Sequence, residues 1–145
     1  MRLVALRGAN TVTENSAEAI LAATDELMRE ILRRNDLGAE DLVSCIFTLT
    51  PDLDAEFPAV AAREMGLSSV PLLCAREIDV PGSLPRVIRL LVHCYAEPGT
   101  PARHVYLREA VALRRATHVR MDQHADDLRQ RPRDRDLPGA QQRHR

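Results

Sequence analysis

Arginine and glutamate side chains placed beside apolar runs are the groups most able to do chemistry in this chain. Arg89 interrupts the apolar stretch PRVIRLLVHC at residues 85–94, and Arg7 closes the alternating stretch RLVALR near the start. An unpaired charge inside a buried strand costs on the order of several kcal/mol. Arg89 therefore needs either a fixed acidic partner or an anion from outside the chain. Glu77 precedes it across a turn-rich link.

Two interpretations of these charges follow. In the first, Glu77 and Arg89 form an internal ion pair, which leaves Arg7 unexplained. In the second, two arginines with one nearby glutamate form a pocket with surplus positive charge. Such a pocket suits a small carboxylated ligand, because guanidinium groups bind carboxylates in a bidentate manner and stay charged at every working pH. Both interpretations remain open from residue types alone.

Other chemistries have weaker support in the sequence. No group of His, Cys, Asp and Glu has the spacing of metal ligands, and His93 and Cys94 point to opposite faces of one predicted strand. Neither GxGxxG nor GxxxxGK[ST] occurs, so we expect no nucleotide cofactor and no metal. A nucleophilic pairing of Cys74 with His104 is conceivable, but a small core cysteine is the favoured interpretation.

The elements that must position these residues follow from hydrophobic periodicity. Alternating or continuous apolar runs predict strands at 2–8, 41–54, 69–75, 86–96 and 103–107. Helical spacing predicts a long helix that begins at Asn15 or Ser16 and stops at Gly38, and a short helix at 57–66. The second strand is so apolar that we expect cover on both faces. The order β-α-β-α-β-β-β indicates an α/β (α+β) fold, with a mixed sheet of about five strands and helices on one side.

Composition fits one globular domain. The chain has 145 residues, of which 45% are hydrophobic. No apolar run approaches the roughly 20 residues that span a bilayer, and the first residues do not form a signal peptide pattern. Cys45, Cys74 and Cys94 lack CxxC spacing and are expected to be reduced thiols. We therefore expect a cytoplasmic protein without a membrane partner.

The charge distribution divides the chain near residue 114. Residues 115–145 hold eight Arg and five Asp, whereas residues 1–114 hold 12 Arg and 16 Asp or Glu, and no lysine occurs. Few large apolar residues lie in the last segment, so we expect a folded domain at 1–114 and a disordered charged tail at 115–145. A nucleic-acid-binding arm is disfavoured, because Asp alternates with Arg there and no aromatic residue is present.

Four segments, in order and spacing, resemble a known family. They are ALRGANTV, TPDLDAEFPAVAAREM, VPLLCAREIDVPGSLPRVIRLLVH and RHVYLREAVALR, and together they cover residues 1 to about 114. They closely resemble the monofunctional AroH-class chorismate mutases. The resemblance implies a homotrimer with a pseudo-α/β-barrel arrangement and active sites between subunits. It also implies conversion of chorismate to prephenate on the route to phenylalanine and tyrosine, without a cofactor.

The resemblance also implies roles for individual residues. Arg89 would donate to the ether oxygen whose bond breaks, Arg7 and Tyr106 would bind a carboxylate, and Glu77 would hold the ring hydroxyl. In this interpretation Glu77 and Arg89 face one substrate from two sides and not each other. The lining of the pocket would include Leu73, Cys74, Ala75, Arg76 and Glu77. The neighbouring subunit would add Phe57, Ala59 and Arg63, and the C-terminal segment would add Leu113 and Arg114.

Two features depart from the family pattern, Val60 and a segment beyond Arg114 that is longer than the family's and unlike it, and two other functions remain open. Val60 stands where the family often has a lysine, which predicts weaker substrate capture and intact chemistry. The first alternative is an imine-deaminase-like enzyme on a similar subunit. The second is a non-catalytic trimer that binds small carboxylated metabolites.

Overall fold

A computed structural model of the chain describes residues 1–114, of which Met1–Leu113 form one compact unit. The predictions made for 115–145 lie outside the described residues. The elements are β1 (Arg2–Thr11), α1 (Ala17–Arg34), β2 (Leu42–Leu49), α2 (Ala59–Glu64), β3 (Leu72–Arg76), β4 (Val87–Ala96) and β5 (Val105–Tyr106). Short 3₁₀ turns occupy Ala39–Asp41 and Arg108–Ala110. The predicted element order is confirmed.

The five strands form one mixed sheet in the order β3-β2-β4-β1-β5. Strand β4 pairs antiparallel with β1 and β2, whereas β2–β3 and β1–β5 are parallel pairs. Alternate residues such as Leu6, Phe47 and Leu90 pack with Leu27 and Ile31 of α1 into the main core. Helices therefore cover one face of the sheet, as predicted. Within the described residues no helix is long and apolar enough to cross a membrane.

The opposite face of the sheet, here called the open face, has no helix over most of its area. Apolar side chains on it remain exposed: Leu3 at 53%, Leu73 at 60% and Tyr95 at 47%. Side chains alternate between the two faces along the strands, apart from a register shift between Leu42 and Ser44 of β2. The residues of the open face include Leu3, Ala5, Arg7, Ser44, Ile46, Thr48, Leu73, Ala75, Arg89, Leu91, His93 and Tyr95.

Helix α1 begins as predicted and ends earlier than predicted. The Ser16 hydroxyl accepts a hydrogen bond from the Ala19 backbone N–H at 3.2 Å, which caps the first turn. The helix ends at Arg34, not at Gly38, because Asn35 leaves the helical conformation and caps it. The Ile31 carbonyl accepts two hydrogen bonds from Asn35, from its amide nitrogen at 2.9 Å and from its backbone N–H at 3.2 Å.

Strand β1 continues through Thr11, beyond the predicted end at Gly8, because β4 pairs with all ten of its residues. Gly8 is therefore an interior strand residue. A Cβ atom built on Gly8 would lie 2.6 Å from Ile31 Cδ1 and 3.0 Å from Leu27 Cδ1. Glycine at this position allows α1 to approach the sheet closely.

Strand β2 is shorter than predicted and is not covered equally on its two faces. It spans Leu42–Leu49, and Cys45 and Phe47 are buried while Ile46 and Thr48 are only half-buried. The apolar composition of β2 thus reflects a core face and a partly open face. The expectation of full cover on both faces was wrong for this chain, because the helices pack on one side only.

Candidate functional site

Arg89 and Glu77 contact each other on the open face. Arg89 Nε lies 3.0 Å from Glu77 Oε1, and the side chains are 49% and 13% exposed, respectively. The neighbouring residues Ile88 and Leu90 are buried, so Arg89 occupies the open side of a half-buried strand. The interpretation of Arg89 as a buried charge was wrong. The internal ion pair is present, whereas the expectation that the two residues would not face each other was wrong.

Thr48 of β2 fixes the orientation of the Glu77 carboxylate, which also contacts Arg89. Its hydroxyl donates to Glu77 Oε2 at 2.8 Å, and the Glu77 backbone N–H donates to the Leu49 carbonyl at 2.9 Å. Thr48 is paired with Arg89 across β2 and β4, so all three side chains lie in one row. The guanidinium of Arg89 contacts Glu77 through Nε, and 49% of the Arg89 side chain is exposed. A ligand can therefore reach the exposed part of the guanidinium while Nε contacts Glu77.

Arg7 and Tyr106 lie on the same face, on the other side of β4. Ala9 is the register partner of both Arg89 and Tyr106, so Tyr106 lies two strands from Arg89 with only a methyl group between them. Tyr106 and Leu113 pack against the cluster of Ala9, Val87 and Ala110. Arg7 is half-buried and pairs with Leu91 in the adjacent row. The fold therefore brings Arg7, Glu77, Arg89 and Tyr106 to one surface.

A cavity of about 340 Å³ lies beside strand β3, which forms one edge of the sheet. Its volume is within the range of small-molecule sites. The predicted residues that line it are Phe57, Cys74, Ala75 and Arg76, and the others are Leu49, Leu53, Asp54, Ala55 and Glu56. The side chain of Phe57 is 67% exposed in the single chain, whereas phenylalanine is among the residues most often buried.

Strand β3 connects the cavity to the row that contains Arg89. Cys74 packs against the main core, whereas Leu73 and Ala75 are paired with Ile46 and Thr48 on the open face. Glu77 follows directly and turns toward Thr48. The segment from Leu73 to Glu77 thus contributes alternate residues to the two sides of one sheet edge.

Ala59 and Arg63 are predicted to complete the site of a neighbouring subunit, and this role stays a prediction. Ala59 is buried in the main core, so its side chain packs against the protein and not toward a ligand. Arg63 is exposed on α2 and does not line the cavity. Arg114 lies beyond the compact unit that ends at Leu113, so its role at the cleft stays a prediction.

The thiols in the described residues are poor candidates for nucleophiles. Burial, with a smaller contribution from Cys94, raises the pKa of Cys45 to about 11, and burial also raises the pKa of Cys94. Cys74 lies on β3 and His104 precedes β5, at opposite edges of the sheet. Four strand spacings separate these edges by about 19 Å, so the two residues cannot form a dyad. No group of three or more potential metal ligands occurs among residues 1–114.

Two residues of the site were not predicted. Thr48 holds Glu77, and His104 accepts a hydrogen bond from the Arg7 backbone N–H at 2.9 Å. The sequence offers one indication of the role of Thr48: alternation along β2 places this polar residue on the same face as the apolar Ile46. The pairing of β2 between β3 and β4 is not encoded in that local pattern.

Comparison with known proteins gives a consistent result. Residues 3–117 match the family described as Chorismate mutase type I. The chain is 54% identical over 111 residues to Chorismate mutase AroH of Thermus thermophilus, covering 75% of this chain and 91% of that protein. It is 40% identical over 116 residues to Chorismate mutase AroH of Bacillus subtilis (strain 168), covering 79% and 91%.

A solved structure agrees with the sequence matches. The chorismate mutase from Clostridium thermocellum superimposes with a TM-score of 0.73 and 47% sequence identity, and covers 75% of this chain and 98% of that one. The described fold and these similarities lead to one assignment. The chain belongs to the chorismate mutase type I family.

Proposed function

We propose that this protein rearranges chorismate to prephenate, and that the reaction takes place against the row of Glu77, Thr48 and Arg89. The observation that carries the proposal is the guanidinium of Arg89, whose Nε lies 3.0 Å from Glu77 Oε1 while 49% of the side chain is exposed. A fixed cation that a ligand can reach suits a reaction in which negative charge gathers on one oxygen atom. Membership of the chorismate mutase type I family supports the same reaction.

The chemistry requires little beyond positioning and charge. In the pericyclic step one carbon–oxygen bond lengthens while a carbon–carbon bond forms, and electron density accumulates on the ether oxygen. The Nη groups of Arg89 stabilise that oxygen more in the transition state than in the ground state, which raises the turnover number. In this proposal Glu77 accepts a hydrogen bond from the ring hydroxyl and also holds the guanidinium of Arg89 in place. The site also favours the compact conformer in which the two carbons approach each other.

Arg7 supplies a second cation for a substrate that carries two carboxylates. It lies on the open face in the row next to Arg89, and its side chain is half-buried. Tyr106 lies across Ala9 from Arg89 and offers a hydroxyl donor on the same surface. These three residues together match the distribution of charge on chorismate, with one ether oxygen and two carboxylates.

The functional assembly in this proposal is a homotrimer in which each site is completed by a neighbouring subunit. The support is the open face, on which three large apolar side chains, Leu3, Leu73 and Tyr95, are between 47% and 60% exposed. Phe57 at the cavity is likewise exposed on its own chain. A neighbour that packs on the open face would bury these groups and bring its own Phe57 and Arg63 to the row of Arg89.

A reducing compartment such as the cytoplasm is the proposed location. Cys45, Cys74 and Cys94 are all free thiols, and two of them are buried. Free thiols of this kind are typical of proteins from reducing environments. The proposal extends to aromatic amino acid biosynthesis, in which prephenate is the precursor of phenylalanine and tyrosine.

The test is the loss of the diene absorbance of chorismate in the ultraviolet. We expect purified protein to remove this signal with saturation kinetics, and Arg89→Ala to abolish most of the activity while the fold is retained by circular dichroism. Mass and proton NMR spectra of the product identify prephenate. Protein that leaves chorismate to decay at its uncatalysed rate would overturn the proposal, and binding without turnover would favour a non-catalytic carboxylate binder.

A further inference from the structure

The edge of the sheet next to Arg7 is completed by a side chain. Strand β5 has only two residues, Val105 and Tyr106, which pair with Gly8 and Ala9. The backbone N–H of Arg7 points toward the position before β5 begins. There the imidazole of His104 accepts its hydrogen bond, with 2.9 Å between Arg7 N and His104 Nδ1. The ring thus replaces the carbonyl that a longer strand would supply.

The segment that carries His104 is itself fixed from the opposite side. Asn35, the cap of α1, donates from its amide nitrogen to the Arg103 carbonyl at 2.9 Å. Its amide oxygen accepts from the Arg103 backbone N–H, also at 2.9 Å. On the other side of His104, the Leu107 backbone N–H donates to the Ala9 carbonyl at 2.9 Å. Residues 103–107 are therefore held at both ends, with the His104 bond between them.

We infer that His104 is a positioning residue, which holds β1 at Arg7 against β5 at Tyr106 so that both side chains present their donors to one carboxylated substrate. The inference rests on the proposed function, because it takes Arg7 and Tyr106 as substrate ligands. His104 itself touches neither substrate nor reacting atoms in this proposal. Its effect is transmitted through one hydrogen bond to the main chain of Arg7.

The hydrogen bond requires one protonation state of the ring. A backbone N–H can only donate, so Nδ1 must be unprotonated and the proton of the neutral imidazole must lie on Nε2. Partial burial and the nearby Arg7 cation lower the pKa of His104 from its ordinary value of 6.5. At the end of α1, Arg33 and Arg34 are paired with Glu30. The folded protein therefore favours the state that can accept.

The contribution of the His104 hydrogen bond is expected to decrease at low pH. The unfolded chain binds a proton more readily than the folded chain, so the contribution of this bond is complete above pH 6.5 and is lost as the pH falls below it. Protonation turns Nδ1 into a donor that opposes the Arg7 N–H. We expect the Michaelis constant for chorismate to rise as the pH falls through this range. The substrate carboxylates stay ionised above about pH 5.

Two substitutions of His104 separate positioning from general structure. Asn carries an acceptor oxygen at the position of Nδ1 but does not titrate, and Ala removes the acceptor. We expect His104→Ala to raise the Michaelis constant about three- to tenfold, the range for one hydrogen bond, with a smaller change in the turnover number. His104→Asn is expected to restore the Michaelis constant of the wild-type protein and to abolish the dependence of this constant on pH between about 5 and 7.5. His93→Asn, at the other histidine among residues 1–114, should leave the dependence unchanged.

An activity-independent measurement tests the same bond. The ¹⁵N chemical shifts of the His104 ring in the wild-type chain report which nitrogen carries the proton. Protonation at Nε2 alone, with a pKa below 6.5, supports the inference, and a ring protonated at Nδ1 overturns it. A pH dependence that survives in His104→Asn would also overturn it. Wild-type protein without mutase activity would refute the proposed function but would leave the tautomer result to stand by itself.

Discussion

Arg89 serves two partners at once because of the shape of its side chain. The guanidinium is a planar fork with five N–H donors, so Nε can contact Glu77 while other donors of the same group bind a ligand. Thr48 donates to the second oxygen of Glu77, which fixes the orientation of the pair. An ion pair of this kind preorganises a cation for a ligand and contributes little to stability when the arginine is half exposed. The structural and catalytic interpretations of Arg89 are therefore compatible.

Arg89→Lys tests whether the fork matters or only the charge. Lysine can still approach Glu77 as a point charge, but it cannot present two fixed donors to the ether oxygen. We expect the turnover number to fall about 10²–10³-fold, the usual loss for a donor of this type. Thermal unfolding should be close to wild type. Wild-type turnover in this variant would assign Arg89 a structural role only.

Arg7→Ala tests the second cation. Loss of a charge-assisted carboxylate contact is expected to raise the Michaelis constant at least about tenfold, with a smaller effect on turnover. Arg2→Ala removes an exposed arginine from the start of the same strand and is the matched control. Equal Michaelis constants in the two variants would count against Arg7 as a ligand of the substrate.

At the scale of elements, the contact between β1 and α1 depends on Gly8. A side chain at this position would meet Ile31 Cδ1 at 2.6 Å, closer than real contacts allow. The contact has a functional consequence, because Arg7 precedes Gly8 and Ala9 is the register partner of both Arg89 and Tyr106. A displacement of β1 from α1 would therefore move the proposed substrate ligands relative to each other.

Gly8→Ala is expected to lower the free energy of unfolding by about 1–3 kcal/mol, as overpacking of a core does. Urea unfolding measures the change. Ile31→Val removes the Cδ1 atom that the new methyl group would meet, so the double variant should lose less stability than the sum of the single variants. Additive losses would show that the close contact with Ile31 is not the cause.

At the scale of the whole molecule, the sheet is covered on one side by helices and exposes apolar residues on the other. The proposed trimer gives this open face a role, because each neighbour would cover it and complete a site. Leu3 is 53% exposed there and belongs to none of the proposed substrate ligands. Activity and assembly should therefore respond together to a charge placed at this position.

Leu3→Asp is expected to shift the protein from a trimer to smaller species in analytical ultracentrifugation and to reduce activity in parallel, since buried unpaired charge opposes association. Ala22→Asp places the same charge on the exposed side of α1 and should change neither property. A Leu3→Asp protein that sediments like wild type would exclude this face as the interface.

Local pattern in the sequence was enough to predict several features, and the reason is physical. Side-chain periodicity reports which residues of one element share a face, so alternation placed Arg7 and Arg89 on their strands. It also predicted the order of strands and helices, helices on one side of the sheet, and a cap at Asn15 or Ser16, of which the structure shows Ser16. Four segments in register were specific enough to predict the family that the comparisons then confirmed.

Only the tertiary structure decided which of these residues meet, because local periodicity carries no information on strand neighbours or register. The insertion of β2 between β3 and β4 placed Thr48 in the row with Glu77 and Arg89, and made those two residues partners. Placing β3 and β5 at opposite edges separated Cys74 from His104 and brought His104 to Arg7. Residue types thus determined the available chemistry, and strand order determined which groups could act together.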